Sequence, residues 1–226
     1  MAASVVIVAG GSGTRFGRKK QFIELGGVPL IRRTVDAFAS HDAVDVVIVA
    51  VPREDMDLTR RMLADAALQV HIVQGGGTRQ ESVCNGLLNV EGAGLVLVHD
   101  AVRPLVTGEL ISRVLGGVGD ADACIPALAV SSTLKEVREG RVVRTVSRSN
   151  LYEVQTPQAF PVLKILEAHT LARRRGVLDA TDDSAVMELA GGTVRVVEGD
   201  PCNIKITVGK DLEIAEAMLT CRTGSV

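Results

Sequence analysis

Short aliphatic runs alternate along this chain with stretches in which apolar residues return every three or four positions. The first run is Ser4–Ala9. After a glycine-rich segment, Leu30, Ile31, Val35 and Phe38 fall at helical spacing, with Pro29 suited to a first helical turn. From Asp45 to Val51 the sequence DVVIVAV stays apolar on consecutive positions after its aspartate, the pattern of a strand covered on both faces. Met56, Met62, Leu63 and Ala66 predict a helix, Val70–Val73 a short strand, and Val83, Leu87 and Leu88 a further helix. Leu95–Val98 predicts a buried strand, and Leu110, Ile111, Val114 and Leu115 a helical stripe. This order predicts an α/β fold, a Rossmann-like three-layer open sheet, mostly parallel.

The alternation breaks at Thr133–Arg148 (TLKEVREGRVVRTVSR), where strand-like residues flank a turn at Arg138–Gly140 but too few are apolar for a core strand. The stretch predicts a protruding β-hairpin arm at about residues 132–153. A lone hairpin is marginal in water, so the arm is expected to pack on a second copy of the chain as a homodimer. Helices follow near Pro161–Arg175 and Asp182–Ala190, strands at Val194–Val197 and Ile204–Val208, and a last helix from Lys210 to about Thr220. No repeat or linker divides the chain, so residues 1–226 are expected to form one domain with an arm.

Composition narrows the function. With Trp 0, Tyr 1 and Phe 4 among 226 residues, the chain lacks the aromatic platforms of single-stranded nucleic-acid binding. Lys+Arg 25 against Asp+Glu 27 gives a net charge of −2, against a basic DNA-binding domain. No apolar run approaches a membrane span. No cationic leader precedes the first strand, and the dispersed cysteines Cys84, Cys124, Cys202 and Cys221 read as reduced, mostly buried thiols. The expected compartment is the cytoplasm.

The candidate chemistry lies in Ala9-Gly10-Gly11-Ser12-Gly13-Thr14-Arg15-Phe16-Gly17-Arg18-Lys19-Lys20-Gln21. Glycines let backbone N–H groups approach an anion, and the cations Arg15, Arg18, Lys19 and Lys20 follow at once. Both features at a strand's carboxyl end point to a polyphosphate site. No register supplies the Walker GxxxxGK[ST] pattern. The dinucleotide fingerprint fails too, since the next helix waits until about Pro29 and the second strand ends in Ala-Val-Pro without a ribose-binding acid. A long basic loop folding over a triphosphate suits a nucleotidyltransferase. The absence of a Ser-His-Asp or Cys-His constellation fits a reaction run by positioning and charge. His41, His71, His99 and His169 are expected in surface or capping roles.

The motifs GGSGTRFG…KKQF, GGGTRQESV (Gly75–Val83), VHDAVRP (Val98–Pro104), QTPQAF (Gln155–Phe160), ATDDSA (Ala180–Ala185) and NIKIT (Asn203–Thr207) span nearly the whole chain. In this order they resemble the 2-C-methyl-D-erythritol 4-phosphate cytidylyltransferase family. The resemblance implies transfer of CMP from CTP to methylerythritol 4-phosphate with release of pyrophosphate, in the non-mevalonate isoprenoid pathway. It implies Arg15, Lys20 and Lys205 as the catalytic cations. It assigns Gly10, Gly11, Ser12, Gly13 and Thr14 to the phosphates, and Ala9, Gly76 and Ser82 to ribose and cytosine. Asp100, with Ala101 beside it on the nucleotide, is implied as the Mg²⁺ carboxylate, which also suits its place after the buried LVLV strand. Thr133, Arg148, Thr156 and Thr207 are implied as contacts to the polyol phosphate, Arg148 and Thr156 completing the other subunit's site. Two readings stay beside this one: the same chemistry on ribitol 5-phosphate, and a non-catalytic nucleotide-binding regulator. Cys202 departs from the pattern, since many family members have aspartate there, and Asp200 lies two residues earlier. Arg79 has no assigned role, and Lys19 is expected to be solvated.

Overall fold

A computed structural model of the chain describes residues 3–11, 19–92 and 94–223. In chain order the first half comprises β1 (Ala3–Val8), β2 (Glu24–Leu25), β3 (Val28–Pro29), α1 (Leu30–Ala39), β4 (Val44–Val51), α2 (Met56–Met62), β5 (Gln69–Gln74), α3 (Arg79–Leu87), β6 (Leu95–Asp100) and α4 (Gly108–Gly117). The second half adds β7 (Ala123–Ala129), β8 (Leu134–Arg138), β9 (Arg141–Val146), β10 (Tyr152–Val154), β11 (Gln158–Pro161), α5 (Val162–Arg174), α6 (Asp183–Leu189), β12 (Val194–Glu198) and α7 (Gly209–Thr223).

The main sheet runs β10-β7-β11-β6-β1-β4-β5, with β12 also pairing β7. Pairing is parallel throughout β6-β1-β4-β5 and between β12 and β7; β10 and β11 are antiparallel to their neighbours. The unbroken aliphatic runs arise because both faces are covered. In β1 and β4, Val5, Ile7, Val47 and Val49 pack on α1 and α4 through Ile31, Val35, Phe38, Leu110 and Val114. The alternate residues Val6, Val8, Ile48 and Ala50 pack on α3, α5 and α6 through Val83, Leu87, Ile165 and Met187. Gly86 permits this second layer, since a Cβ there would collide with Val6. The expected three-layer α/β architecture is the observed one, and no described helix is long and apolar enough to cross a membrane.

Several elements differ from expectation. β7 (ACIPALA) was not anticipated because Pro126 demotes a strand-like run; here Pro126 lies opposite Val197 and its carbonyl accepts from Gln155 N–H at 2.8 Å. The short antiparallel strands β10 and β11 and the β2–β3 hairpin were also missed. Ile204–Val208 forms no strand. Asp211 in the first turn of α7 accepts the N–H groups of Thr207 and Val208 at 2.7 and 2.9 Å, taking donors that a ladder would use. The hairpin exists, with Glu139 and Gly140 both at positive φ (49° and 75°), as a tight two-residue hairpin turn requires. Its strands stop at Val146, however, and Tyr152–Val154 belongs to the main sheet, so the 132–153 boundary was too generous. The thiols are not mostly buried: Cys124 is, Cys84 and Cys202 are half-buried, and Cys221 is exposed. His99 and His169 are core residues rather than surface or capping ones.

Candidate active site

The chain runs outward from β1 through β4 to β5, then returns to β6 on the other side of β1. That reversal leaves a crevice beyond the carboxyl ends of β1 and β6, where ligands of open α/β sheets collect. A cavity of about 290 Å³ opens there, walled by Val8–Gly11 from β1, Gly76–Arg79 and Ser82 from the start of α3, Asp100 at the end of β6, and Lys20, Lys205 and Thr207. A second cavity of about 270 Å³ adjoins it, lined by Arg103, Gln155, Thr156, Gln158, Thr181 and Asp182. Arg79, Asp100 and Lys205 line both, so these three side chains form the boundary between them.

Local sequence explains each wall. Thr78 caps α3 by accepting from Glu81 N–H at 3.1 Å, and Glu81 in turn accepts from Gly77 N–H at 2.8 Å. This places Gly76 against Glu81, where any Cβ would collide. Ser82 Oγ donates to Thr78 O at 2.9 Å and accepts from Gly76 N–H at 3.0 Å, fixing the hydroxyl at the cavity wall. Lys205 reaches the site from an irregular segment clamped at both ends. Asn203 Nδ2 donates to Thr156 O at 2.7 Å, Arg103 Nη1 donates to Asn203 O at 2.7 Å, and Thr207 Oγ1 donates to Asp211 at 2.6 Å.

Asp100 is the electrostatic centre. Lys205 Nζ lies 2.7 Å from its Oδ2 and Arg79 Nε 3.2 Å from its Oδ1. Burial would favour the neutral acid, but Arg79 and Lys205 override it and hold the carboxyl far below the usual carboxylate range. Arg79 also places Nη1 2.8 Å from Asp183 Oδ2, so one guanidinium bridges two buried acids. Burial opposes its charge, yet Asp183 and Asp100 raise its pKa further. Behind Asp100, its N–H donates to Thr156 Oγ1 at 3.2 Å, and that hydroxyl lies 3.0 Å from His99 Nδ1. His99 Nε2 lies 3.1 Å from the carbonyl of Arg103, which can only accept. The ring therefore carries its proton on Nε2 and accepts from Thr156 on Nδ1. Burial pushes its pKa down to about 3.

Of the residues expected at the site, Ala9, Gly10, Gly11, Gly76, Ser82, Asp100, Lys20, Lys205 and Thr207 line the first cavity, and Thr156 lines the second. Ala101 does not. It is buried, its N–H bonded to Val8 O and its carbonyl accepting from Thr34. Thr133 and Arg148 are exposed and line neither cavity within one chain. Ser12, Gly13, Thr14 and Arg15 lie outside the described residues. Lys19 is ion-paired with Glu54 and Asp55 rather than solvated. Asp200 accepts from Cys202 N–H at 2.7 Å within its own turn and lines neither cavity. Neither Arg79, whose role the sequence leaves open, nor the contact of Arg103 with Asn203 is legible in the sequence, because nothing in a helix-start arginine or a loop arginine announces a partner 104 or 100 residues away.

Among the described residues no group of three or more His, Cys, Asp and Glu side chains is gathered to hold a metal. Asp100 nonetheless fits a divalent cation of the kind that takes one protein carboxylate and completes its shell with phosphate oxygens and water. It is ionised, faces both cavities, and each oxygen retains acceptor capacity beyond its single ion pair.

Fold and cavity together define a Rossmann-like α/β domain with a cationic crevice at the carboxyl edge of its sheet. The 2-C-methyl-D-erythritol 4-phosphate cytidylyltransferase family model matches residues 3–221, and the chain belongs to that family. It is 41% identical over 220 residues to the 2-C-methyl-D-erythritol 4-phosphate cytidylyltransferase of Bacillus mycoides, covering 96% of this chain and 97% of that one. It is 43% identical over 223 residues to the bifunctional enzyme IspD/IspF of Mesorhizobium japonicum, covering 96% of this chain and 55% of that protein. The chain thus spans about half the length of such bifunctional relatives. The crystal structure of 2-C-methyl-D-erythritol 4-phosphate cytidylyltransferase from Thermus thermophilus superposes with a TM-score of 0.83 at 37% identity, covering 96% of this chain and 98% of that one.

Proposed function

We propose that the chain transfers CMP from CTP to 2-C-methyl-D-erythritol 4-phosphate, releasing pyrophosphate. The observation that carries this reading is the pair of cavities meeting at Asp100, Arg79 and Lys205. Two phosphorylated reactants repel each other, and a boundary formed by two cations around one carboxylate is where that repulsion can be offset. CTP occupies the first cavity. Ala9, Gly76 and Ser82 meet the nucleoside, and the main chain of Gly10 and Gly11, continued by Ser12–Thr14, meets the phosphates. The polyol phosphate occupies the second cavity with Thr156, while Thr207 faces it from the first.

The attacking phosphate is already ionised near neutral pH, so no residue needs to remove a proton. Its oxygen bonds to the α-phosphorus of CTP as the bond to pyrophosphate breaks. Lys205 and Lys20, with Arg15, face the negative charge that builds on the equatorial oxygens. Fixed cations of this kind cost no reorganisation during reaction. Asp100 would hold Mg²⁺, which when bound neutralises phosphate oxygens and fixes their geometry. The arm is proposed to join two copies, bringing Thr133 and Arg148 to the partner's polyol-phosphate cavity. The family match suits a cytoplasmic enzyme.

The test is pyrophosphate release from CTP and Mg²⁺ with each of two acceptors, methylerythritol 4-phosphate and ribitol 5-phosphate. Turnover with the first, lost by several orders of magnitude in Lys20→Ala, supports the proposal. Turnover confined to ribitol 5-phosphate overturns the acceptor, and nucleotide binding without turnover on either overturns the enzyme reading.

A further inference from the structure

Lys19 and Lys20 are adjacent in sequence and point to different tasks. Lys20 lines the first cavity; Lys19 lines neither. The Lys19 ammonium is drawn instead to the turn after β4, 2.7 Å from both carboxylate oxygens of Asp55 and 3.1 Å from Glu54 Oε1. The Asp55 side chain is only 8% exposed while that of Lys19 keeps 35% of its surface open, so the pair is half-buried, with the carboxylate on its inner side. Asp55 stands at the N-cap of α2, where an aspartate ordinarily accepts from an amide of its own helix. It makes no such bond, and both its oxygens go to Lys19.

The position of Lys19 gives that choice a consequence. Lys19 opens the single tight turn Lys20–Phe22, with Phe22 N–H donating to Lys19 O at 3.2 Å and Ile23 N–H to Lys20 O at 3.0 Å. On the other side, Arg53–Asp55 follows directly from β4, an interior strand hydrogen-bonded to β1 and β5. The stretch from Gly10 to Gly17 contains four glycines, a composition that places few restrictions on backbone dihedrals. An anchor at its carboxyl end supplies what that composition lacks.

We infer that the Lys19–Asp55 ion pair is a strut that ties the end of the glycine-rich loop to the sheet and sets where Lys20 stands over the cavity. Lys19 and Asp55 are positioning residues, and neither touches the reactants. The kinetic consequence rests on the proposed cytidylyl transfer; the anchoring itself does not.

The experiment uses the full chain with Asp55→Asn, Lys19→Met, the two combined, and Lys19→Arg. CTP affinity is read by calorimetry, KM for CTP and for the polyol phosphate by pyrophosphate release, and loop anchoring by tryptic cleavage of the Lys20–Gln21 bond without ligand. Each single neutral variant is expected to weaken CTP binding and raise its KM roughly tenfold, the scale of a small misplacement. It should also speed cleavage after Lys20 while leaving the polyol-phosphate KM unchanged. The double variant should be no worse than either single one, and Lys19→Arg should stay near wild type. If Lys19→Met misfolds by stranding the Asp55 charge, the double variant, which strands none, carries the test. Were Lys19 a phosphate ligand held in reserve, Asp55→Asn would free it and tighten CTP binding, and that result overturns the strut. So does a variant that loses melting temperature with CTP affinity and cleavage both unmoved. A wild-type chain that binds no CTP defeats the proposed function instead. In that event, faster cleavage in Asp55→Asn still supports the strut, and unchanged cleavage overturns it.

Discussion

Arg79 shows how much of the site depends on one side chain the reaction need not consume. Its guanidinium holds Asp100 at 3.2 Å through Nε and Asp183 at 2.8 Å through Nη1, with the Asp183 side chain 1% exposed. A planar fork can satisfy two carboxylates in different directions, which a single ammonium cannot. Removing it leaves Asp183 with the His169 ring at 3.5 Å and Asp100 with Lys205 alone. Removing one partner from a buried ion pair costs about 3 kcal/mol or more. Arg79→Met is therefore expected to lower unfolding stability by about that amount in a denaturant titration, and Arg79→Lys to recover only part. A wild-type midpoint in Arg79→Met would show that the bridge adds nothing to the fold.

At the scale of elements, legibility followed burial. β1, β4 and β6 were readable because a strand covered on both faces must be apolar on consecutive positions, and Val5 to Val8 satisfy that by dividing between two cores. β7 was not, because Pro126 is tolerated opposite Val197 only through pairings no local pattern encodes. Lys205 is legible from its NIK motif, yet the strand expected to carry it gives way to clamps from Arg103, Asn203 and Asp211, contacts 100 and 47 residues distant or owned by the next helix. The arm was legible by its lack of a core side. Val137, Val142 and Val143 remain exposed on it, with Leu151 and Tyr152 at its foot, apolar surface a second copy would cover. Replacing Leu134–Val146 by a tight turn is accordingly expected to give monomers by sedimentation and to lower turnover in parallel. Monomers with full turnover would show that Thr133 and Arg148 complete no partner site.

For the whole molecule, two buried histidines set opposite slopes of stability against pH. His99 is fully buried and neutral, its pKa pushed down to about 3 chiefly by desolvation. Its unfolded value is about 6.5. Below that value the unfolded chain takes up a proton the folded ring refuses, so stability falls as pH drops from 6.5 toward 3. His169 behaves in reverse. Burial alone would lower its pKa, but Asp183 with its Nε2 contact at 3.5 Å, together with Cys84, raises it to about 9. That contribution is complete below pH 6.5 and is lost as pH rises through 9. The carboxyls of Asp100 and Asp183, both lowered, matter only near and below the usual carboxylate range. Between pH 7 and 5 the loss belongs to His99 and amounts to ~2 kcal/mol, of which the growing His169 contribution returns about 1 kcal/mol, leaving about 2 °C in melting temperature for a chain of this size. His99→Gln is expected to start lower, since it gives up the bonds to Thr156 and Arg103, but to flatten the slope from pH 7 to 5. His169→Gln should steepen that slope somewhat and flatten the decline from pH 7 to 9. An unchanged acid slope in His99→Gln would mean that the ring behind Asp100 titrates normally, and that burial does not hold it neutral.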